Sequence, residues 1–322
     1  MKVIENVVIV GDENVVRDLH YPKIRGKNGA PVMRCLIEPG GTKSAITGGE
    51  RLCAFEEAGI SAGHFNKGLF TSAAAWNGVA YSAKQSHLLM EYYQKISWLN
   101  AEVFWSSLLR GDFFGIEWLA DELRGKFDRA TFDKCMMDVT VAVSDVKAKV
   151  HLHKAKEAED IFELLVASSA LLPGVYGREI NGVMSYDGGF TIDSTVIEWL
   201  KFLKHENPHR QYIDLLYIAN RPHPKIHYSK VEERIFNRFV KWELSNYPEL
   251  AQGALSIDGK LRKVAELFQR QRPRIRTCAI FPMPDENIYP LEWRKKILHS
   301  HGELTRVRTE KLLRVLAPKR EI

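Results

Sequence analysis

Ser72 stands between a segment with the pattern of a strand and one with the pattern of a helix. The strand candidate covers residues 64–70, and a helix of small, apolar residues begins at Ala73. A serine on a sharp strand-to-helix turn has an exposed hydroxyl, and N–H groups at the start of the helix can stabilise an oxyanion. This arrangement favours acyl transfer, with Ser72 as the nucleophile and the Ala73 N–H as one oxyanion donor.

A glycine-rich turn earlier in the chain suits the same chemistry. Residues 32–37 are a short apolar run typical of a buried strand, and the Gly- and Pro-rich residues after it cannot continue that strand. Because glycine lets the backbone approach a ligand closely, the N–H groups of Gly40 and Gly41 can serve the same oxyanion. Residues 45–58 have a helical pattern, and Gly59 occupies the position of a helix C-cap.

A literal G-x-S-x-G is centred on a different serine, Ser61. That motif needs a strand before the serine and a helix after it. Here residues 50–58 have the pattern of an amphipathic helix, and residues 64–68 do not resemble the start of one. We therefore expect Ser61 to lie in the loop after a helix, and we assign the nucleophile to Ser72.

Several short motifs follow one another at suitable spacings between residues 33 and 192. They are Gly40-Gly41-Thr42-Lys43, AFEEAGI at residues 54–60, SAAAWN at residues 72–77, ASSALLPGVY at residues 167–176 and Asp187-Gly188-Gly189. In this order they resemble the oxyanion turn, helix end, nucleophile elbow and final Asp-Gly motif of the patatin-like phospholipases. The rest of the chain resembles that family only loosely.

The resemblance implies a layered α/β/α fold with a mostly parallel central sheet. It also implies a serine hydrolase that acts on phospholipid, lysophospholipid or another acyl ester, without a cofactor or metal. Asp187 would be the base that acts directly on Ser72, with Gly40, Gly41 and Lys43 at the oxyanion. A free aspartate, with a pKa of about 3.9, is a poor base at neutral pH. We therefore expect burial to raise the pKa of Asp187.

Four residues depart from the family pattern. Phe70 and Ala74 replace the glycines on either side of the nucleophile, Lys43 replaces an arginine, and Ser44 replaces a glycine. Phe70 is expected to crowd the turn, which favours a second hypothesis: a catalytically inactive patatin-like protein whose cleft binds lipid or a protein partner. A hydrogen bond between Ser72 and Asp187 would support catalysis, and a Phe70 ring in that space would support the second hypothesis.

Strand and helix patterns alternate along the rest of the chain, which favours an α/β fold. We predict a strand pair within residues 138–153 and strands at residues 213–219 and 278–282. Helices are predicted within residues 84–130 and at residues 154–169, 195–204, 231–244, 260–268 and 304–316. We expect residues 1–31 to be an N-terminal extension and residues 32–322 to form the patatin-like domain, with helical and strand elaborations near its C-terminus. The aromatic residues of the segment 84–130 are predicted to be core rather than an acyl-chain groove.

The composition is that of a globular protein of 322 residues with a net charge of +6. Its four cysteines have no paired spacing, and no segment has the pattern of a signal peptide or a membrane span, so we expect a cytoplasmic protein. The basic residues between 260 and 276 are compatible with peripheral contact with anionic lipid, and a solvated helix face followed by a linker is an equally favoured interpretation. They lack a nucleic-acid motif and interleaved aromatics, so a nucleic-acid partner is not expected.

A histidine-based metal site is the remaining alternative. His151 and His153 share a strand face, and His223 and His227 lie further along the chain. With no acidic or cysteine partner nearby in the sequence, surface histidines are the favoured interpretation.

Overall fold

The computed structural model describes residues 1–21, 31–96, 112, 114–171, 175–206, 212–223, 247–255, 257–269, 273–288 and 294–317. Within them, ten strands form one sheet. The strands are β1 (Lys2–Ile4), β2 (Val7–Gly11), β3 (Val32–Glu38), β4 (Lys67–Thr71), β5 (Asp138–Asp145), β6 (Val150–Lys154), β7 (Arg178–Ile180), β8 (Val183–Asp187), β9 (Tyr212–Ile218) and β10 (Ile275–Phe281).

The centre of the sheet is parallel and its edges are antiparallel. Strands β10, β9, β3, β4 and β5 lie side by side and run in one direction. At one edge β2 pairs antiparallel with β10 and with β1; at the other edge β6 and β8 pair antiparallel with β5. The predicted α/β fold with a mostly parallel central sheet is confirmed. The segment predicted to be an N-terminal extension supplies β1 and β2 to this sheet.

Helices cover both faces of the sheet. They are α1 (Asn14–Arg17), α2 (Ala45–Glu57), α3 (Ala73–Ser82), α4 (Ser86–Lys95), α5 (Ile116–Arg124), α6 (Arg129–Lys134), α7 (Ile161–Ser168), α8 (Ile192–Glu206), α9 (Pro248–Leu255), α10 (Ile257–Gln269) and α11 (Lys295–Leu316). Neighbouring strand residues join different hydrophobic clusters: Phe70 packs with α2, α3 and α7, and Leu69 packs with α8. This alternation of apolar residues between two buried faces is what a layered α/β/α arrangement requires.

The pairing of β5 brings two distant parts of the chain together. Strands β4 and β8 must share one edge of β5, because β6 occupies the opposite edge over residues that both of them overlap. Strand β4 ends where Thr71 pairs with Ala142, and β8 ends where Asp187 pairs with the next residue of β5, Val143. The residue after β4 and the last residue of β8 therefore meet at one point of the sheet.

The helix predicted at residues 154–169 begins later than expected. The Asp160 side chain caps it by accepting hydrogen bonds from the N–H groups of Phe162 and Glu163, and residues Ala155–Glu157 form a separate short 3₁₀ turn. Aspartate at an N-cap satisfies N–H groups that have no partner inside the helix. The helix predicted at residues 231–244 lies outside the described residues.

The basic residues between 260 and 276 do not form one solvated face. The Lys260 ammonium donates a hydrogen bond to the Phe190 carbonyl at 2.6 Å, and Arg276 is paired with Asp214 and Asp18. Arg270 and Arg272 lie outside the described residues. None of the helices in the described ranges is both long and apolar enough to cross a membrane.

Candidate active site

Ser72 occupies a strained turn between β4 and α3. Its φ of 54° and ψ of −140° lie in a region that L-residues rarely adopt. A non-glycine residue with such angles costs of order 1–3 kcal/mol and persists only where the surroundings impose it. The strand Lys67–Thr71 leads into Ser72, and the helix begins at Ala73, so the predicted strand–serine–helix arrangement is present.

Ser168 fixes this turn from the end of α7. Its hydroxyl accepts a hydrogen bond from the Ser72 N–H at 2.9 Å and donates one to the Ala142 carbonyl at 2.7 Å. Strand β4 ends at its pairing with Ala142, and β8 pairs only with residues of β5 from Val143 onward. On this edge of β5, the Ala142 carbonyl therefore needs a partner from outside the sheet. Ser168 lies in the motif at residues 167–176, but no role was predicted for it. The available signal was a serine at the end of an apolar helix pattern.

The Ser72 hydroxyl donates a hydrogen bond to Asp187. The Ser72 Oγ to Asp187 Oδ2 distance is 2.7 Å, and both residues are buried. The other carboxylate oxygen, Oδ1, accepts a hydrogen bond from the Gly189 N–H at 2.6 Å. Gly189 thus fixes the carboxylate while leaving Oδ2 directed at the serine, an arrangement suited to proton transfer from Ser72.

The environment of Asp187 raises its basicity. Burial raises the pKa of this carboxyl to about 6, against the opposing effect of the hydrogen bonds from Ser72 and Gly189. A group with that pKa is mostly ionised at pH 7 and binds a proton far more readily than an ordinary aspartate. An upward shift of the Asp187 pKa is what a serine–aspartate pair without a histidine requires for proton transfer near neutral pH.

The glycine turn lies directly against the serine. A Cβ atom added at Gly40 would lie 2.2 Å from Ser72 Cβ and 2.9 Å from Ser72 Oγ. Only a residue without a side chain fits there. The Gly40 N–H, however, donates a hydrogen bond to Thr71 Oγ1 at 2.8 Å. Gly40 therefore anchors the turn to the strand end, and its amide is already engaged, contrary to its expected role as an oxyanion donor.

Two other predicted donors remain. Across the described ranges of the chain, the N–H groups of Gly41 and Ala73 have no hydrogen-bond acceptor. Ala73 is the first residue of α3, where the helix dipole adds partial positive charge. Lys43 lines the same cleft as Ser72 and Ala73. Ser72, Ala73 and Lys43 thus line one cleft, Asp187 is hydrogen bonded to Ser72, and Gly41 follows Gly40, the residue packed against Ser72.

A small cleft of about 40 Å³, open to solvent, lies beside Ser72. Its apolar wall comes from α2, α4 and the start of α5 and consists of Ile46, Tyr93, Ile96, Phe114 and Ile116. Tyr92 and Tyr93 are core residues, as predicted, and Phe114 packs against the core; Tyr93 and Phe114 also border the cleft. The apolar residues predicted between 99 and 109 lie outside the described residues.

The crowding expected from Phe70 does not occur. Its ring is fully buried, and a Cβ atom added at Gly78 of α3 would lie 2.4 Å from ring atoms. Gly68 makes similar room, because a Cβ atom there would lie 2.5 Å from the ring. Phe70 is absent from the described residues that line the cleft. Gly68 and Gly78 therefore make room for the Phe70 ring, which stands where the family pattern has a glycine.

Ser61 lies where the sequence places it, in the connection after α2. Gly59 has a φ of 77°, and Ser61 caps the short 3₁₀ turn Ala62–His64 through contacts with His64. Its surroundings are those of a turn residue, with no strand leading into it.

The histidines considered for metal binding do not converge. His151 Nε2 lies 3.0 Å from Asp145 Oδ2, on the other strand of the same hairpin, so the expectation that no acidic partner lies nearby is wrong. Within the part of the chain that the structure describes, no three histidine, cysteine, aspartate or glutamate residues are grouped to hold a metal ion. His227 lies outside the described residues.

No protein-family profile matches the chain, and no curated protein matches it. Among solved structures, the crystal structure of VipD from Legionella pneumophila matches with a TM-score of 0.37 and 9% sequence identity, over 91% of this chain and 70% of that one. A likeness of this strength carries no information about activity, so the functional conclusion depends on the geometry of the site.

Proposed function

We propose that this protein is a serine acyl-ester hydrolase of the patatin-like kind, with Ser72 as nucleophile and Asp187 as base. The observation that carries the proposal is the 2.7 Å hydrogen bond from a serine with positive φ, at a strand-to-helix turn, to a buried aspartate. The proposed substrates are phospholipids, lysophospholipids or other acyl esters, because the cleft beside the serine has an apolar wall.

The proposed reaction has two steps. Ser72 Oγ attacks the ester carbonyl carbon while its proton moves to Asp187 Oδ2, and the N–H groups of Gly41 and Ala73 bind the oxyanion of the tetrahedral intermediate. The bond to the alcohol then breaks, and the proton on Asp187 passes to the leaving oxygen. Water attacks the acyl-serine with Asp187 as base, which releases the fatty acid and restores the Ser72 hydroxyl.

The second hypothesis, an inactive protein that binds lipid or a partner in the same cleft, was motivated by Phe70. The buried position of that ring favours the catalytic proposal. Release of fatty acid from phospholipid, lysophospholipid and short-chain p-nitrophenyl esters tests the proposal. Where hydrolysis of the acyl-enzyme is the slower step, a burst of alcohol precedes the steady-state turnover.

Asp187→Asn is the matching variant for the assay, because it keeps the size of the side chain and removes the base. Its rate should fall by about 10²–10⁴-fold. Asp133→Asn makes the same chemical change on the exposed surface of α6 and should retain full activity. Equal rates for wild type and Asp187→Asn would contradict the proposed role of this residue.

A further inference from the structure

A buried polar network lies behind the glycine turn and joins it to the helix that follows Ser72. Its centre is Glu38, the last residue of β3, whose side chain is fully buried. Oε1 of Glu38 accepts hydrogen bonds from Asn77 Nδ2 at 2.6 Å and from Asn220 Nδ2 at 3.3 Å. None of these three residues takes part in the proposed chemistry.

Each asparagine also holds a segment of main chain. Asn77 Nδ2 donates to the Ala45 carbonyl at 2.8 Å, at the start of α2. Asn220 Nδ2 donates to the Pro39 carbonyl at 2.5 Å. Pro39 precedes Gly40, the residue in direct contact with Ser72. Through its two partners, Glu38 therefore links the turn that carries Gly41 to the helix that begins at Ala73.

The network lacks hydrogen-bond donors. Within the described ranges, three buried oxygens, namely Glu38 Oε2, Asn77 Oδ1 and Asn220 Oδ1, have no donor. Gly48 packs tightly against this network. A Cβ atom at Gly48 would lie 2.0 Å from Glu38 Oε1 and 2.5 Å from Asn220 Oδ1, so only glycine fits. A proton on the Glu38 carboxyl supplies one missing donor and removes a charge that would otherwise be buried.

The groups that face Glu38 do not compensate a negative charge. The electrostatic neighbours on α4 and β9 are the hydroxyls of Tyr93 and Tyr217, and proximity to Glu38 contributes to raising the pKa of both. Burial raises the pKa of Glu38 to about 8, opposed only by the hydrogen bonds from Asn77 and Asn220. The carboxyl is therefore mostly protonated at pH 7.

We propose that Glu38 is a positioning residue that works as a neutral acid, holding the Pro39–Gly41 turn in register with α3 so that the oxyanion donors stay in place beside Ser72. This inference rests on the proposed hydrolase function. Ionisation of Glu38 puts an uncompensated charge into the network and loosens the turn, so acylation of Ser72 should weaken above about pH 8.

Glu38→Gln tests this directly, because glutamine keeps an acceptor oxygen of the same reach and does not titrate. Glu56→Gln is the matched control. Glu56 is a half-buried acid at the C-terminal end of α2, and burial raises its pKa to about 7. Its only side-chain hydrogen-bond partner among the described residues is Ser86. Both variants remove an acid whose pKa is raised by burial, but only the first belongs to the network.

Two measurements are made as a function of pH on the intact protein. One is the rate at which a fluorophosphonate labels Ser72. The other is hydrogen exchange of the amides in residues 40–45, corrected for the intrinsic pH dependence of exchange. In wild type and Glu56→Gln, labelling should fall by about tenfold per pH unit above the pKa of Glu38, and protection of the turn should fall with it. Both losses should disappear in Glu38→Gln.

Asn220→Ala provides a second variant. It removes the hydrogen bond to the Pro39 carbonyl as well as one that lowers the pKa of Glu38, so protection of the turn should fall at every pH, and the pH at which the remaining protection is lost should move upward. Exchange of the turn does not depend on catalysis. If wild type is never labelled but its turn loses protection above pH 8 only when Glu38 is present, the hydrolase function is wrong and the positioning role of Glu38 stands. A turn whose protection is the same in wild type and Glu38→Gln at every pH overturns the role of Glu38.

Discussion

Ser72 and Asp187 are separated by 115 residues in the chain but are held against consecutive residues of β5. Ser72 follows the residue that pairs with Ala142, and Asp187 pairs with Val143. The contact between the two side chains thus follows from the register of three strands. Shifting either strand by one residue would turn one of the side chains to the other face of the sheet.

Activity should depend on pH through Asp187. As a base it must be ionised, and its pKa is raised to about 6, so kcat/KM should rise with pH through about 6, level off, and fall again above about pH 8 as Glu38 ionises. Stability should change in the opposite direction. The folded state binds this proton more tightly than the unfolded chain does, so the free energy of unfolding falls as pH rises from about 4 to about 6.

A pH series of esterase kinetics and of urea unfolding measures both effects. In Asp187→Asn, the free energy of unfolding should fall less between pH 4 and 6 than in the wild type, because the contribution of this carboxyl is gone. An activity limb that is centred below pH 5 would contradict the raised pKa of Asp187.

Gly40→Ala should abolish most of the activity and also destabilise the fold by about 1–3 kcal/mol, as overpacking does elsewhere. The new Cβ would lie 2.2 Å from Ser72 Cβ, so the turn and the serine must move apart. Displacements of about 1 Å in a catalytic arrangement cost roughly 100-fold in rate. Gly125→Ala is the control, since a Cβ atom there meets nothing within 4 Å. Full activity in Gly40→Ala would show that the close contact between turn and serine is not needed.

Gly78→Ala should destabilise the protein even though alanine is the better helix former. The added Cβ would lie 2.4 Å from the Phe70 ring, and overpacking a core typically costs about 1–3 kcal/mol, which exceeds the gain of about 1 kcal/mol in helix propensity. In a Phe70→Ala background the same change should cost less, because every ring atom that the new Cβ would meet is removed. Urea unfolding of the four proteins gives the coupling energy, and additive effects would refute the contact.

Ser168→Ala should lower both stability and activity. It leaves the Ser72 N–H and the Ala142 carbonyl without their partner, and an unsatisfied buried group costs about 1–3 kcal/mol. Ser82→Ala is the control, because among the described residues that buried hydroxyl bonds only to the Gly78 carbonyl of its own helix. Equal loss of stability and rate in the two variants would remove the special role of Ser168.

Local sequence patterns predicted the elements around the site but not the contacts between them. The apolar runs and glycines located β3, α2, β4 and α3, and the context of Ser61 distinguished a turn serine from an elbow serine. The fit of Phe70 depends on Gly78, and the engagement of the Gly40 amide depends on Thr71. Both are contacts between separate elements, which no single segment encodes.

The same limit applies to the edge of the sheet. The run Val7–Val10 is apolar, but only its pairing with β10 near the other end of the chain makes it a strand of the central sheet. Glu38 is a similar case: its position at a strand end is visible in the sequence, and its complete burial between Asn77 and Asn220 is not.

Mass spectrometry of the protein after reaction with a fluorophosphonate tests the central claim most directly. The account predicts a single adduct on the peptide containing Ser72, formed by wild type and Ser61→Ala and absent from Ser72→Ala. An adduct on Ser61, or one that persists in Ser72→Ala, would contradict the assignment of the nucleophile. A folded wild type that forms no adduct at any pH would contradict the hydrolase and favour a protein that binds lipid or a partner in the cleft.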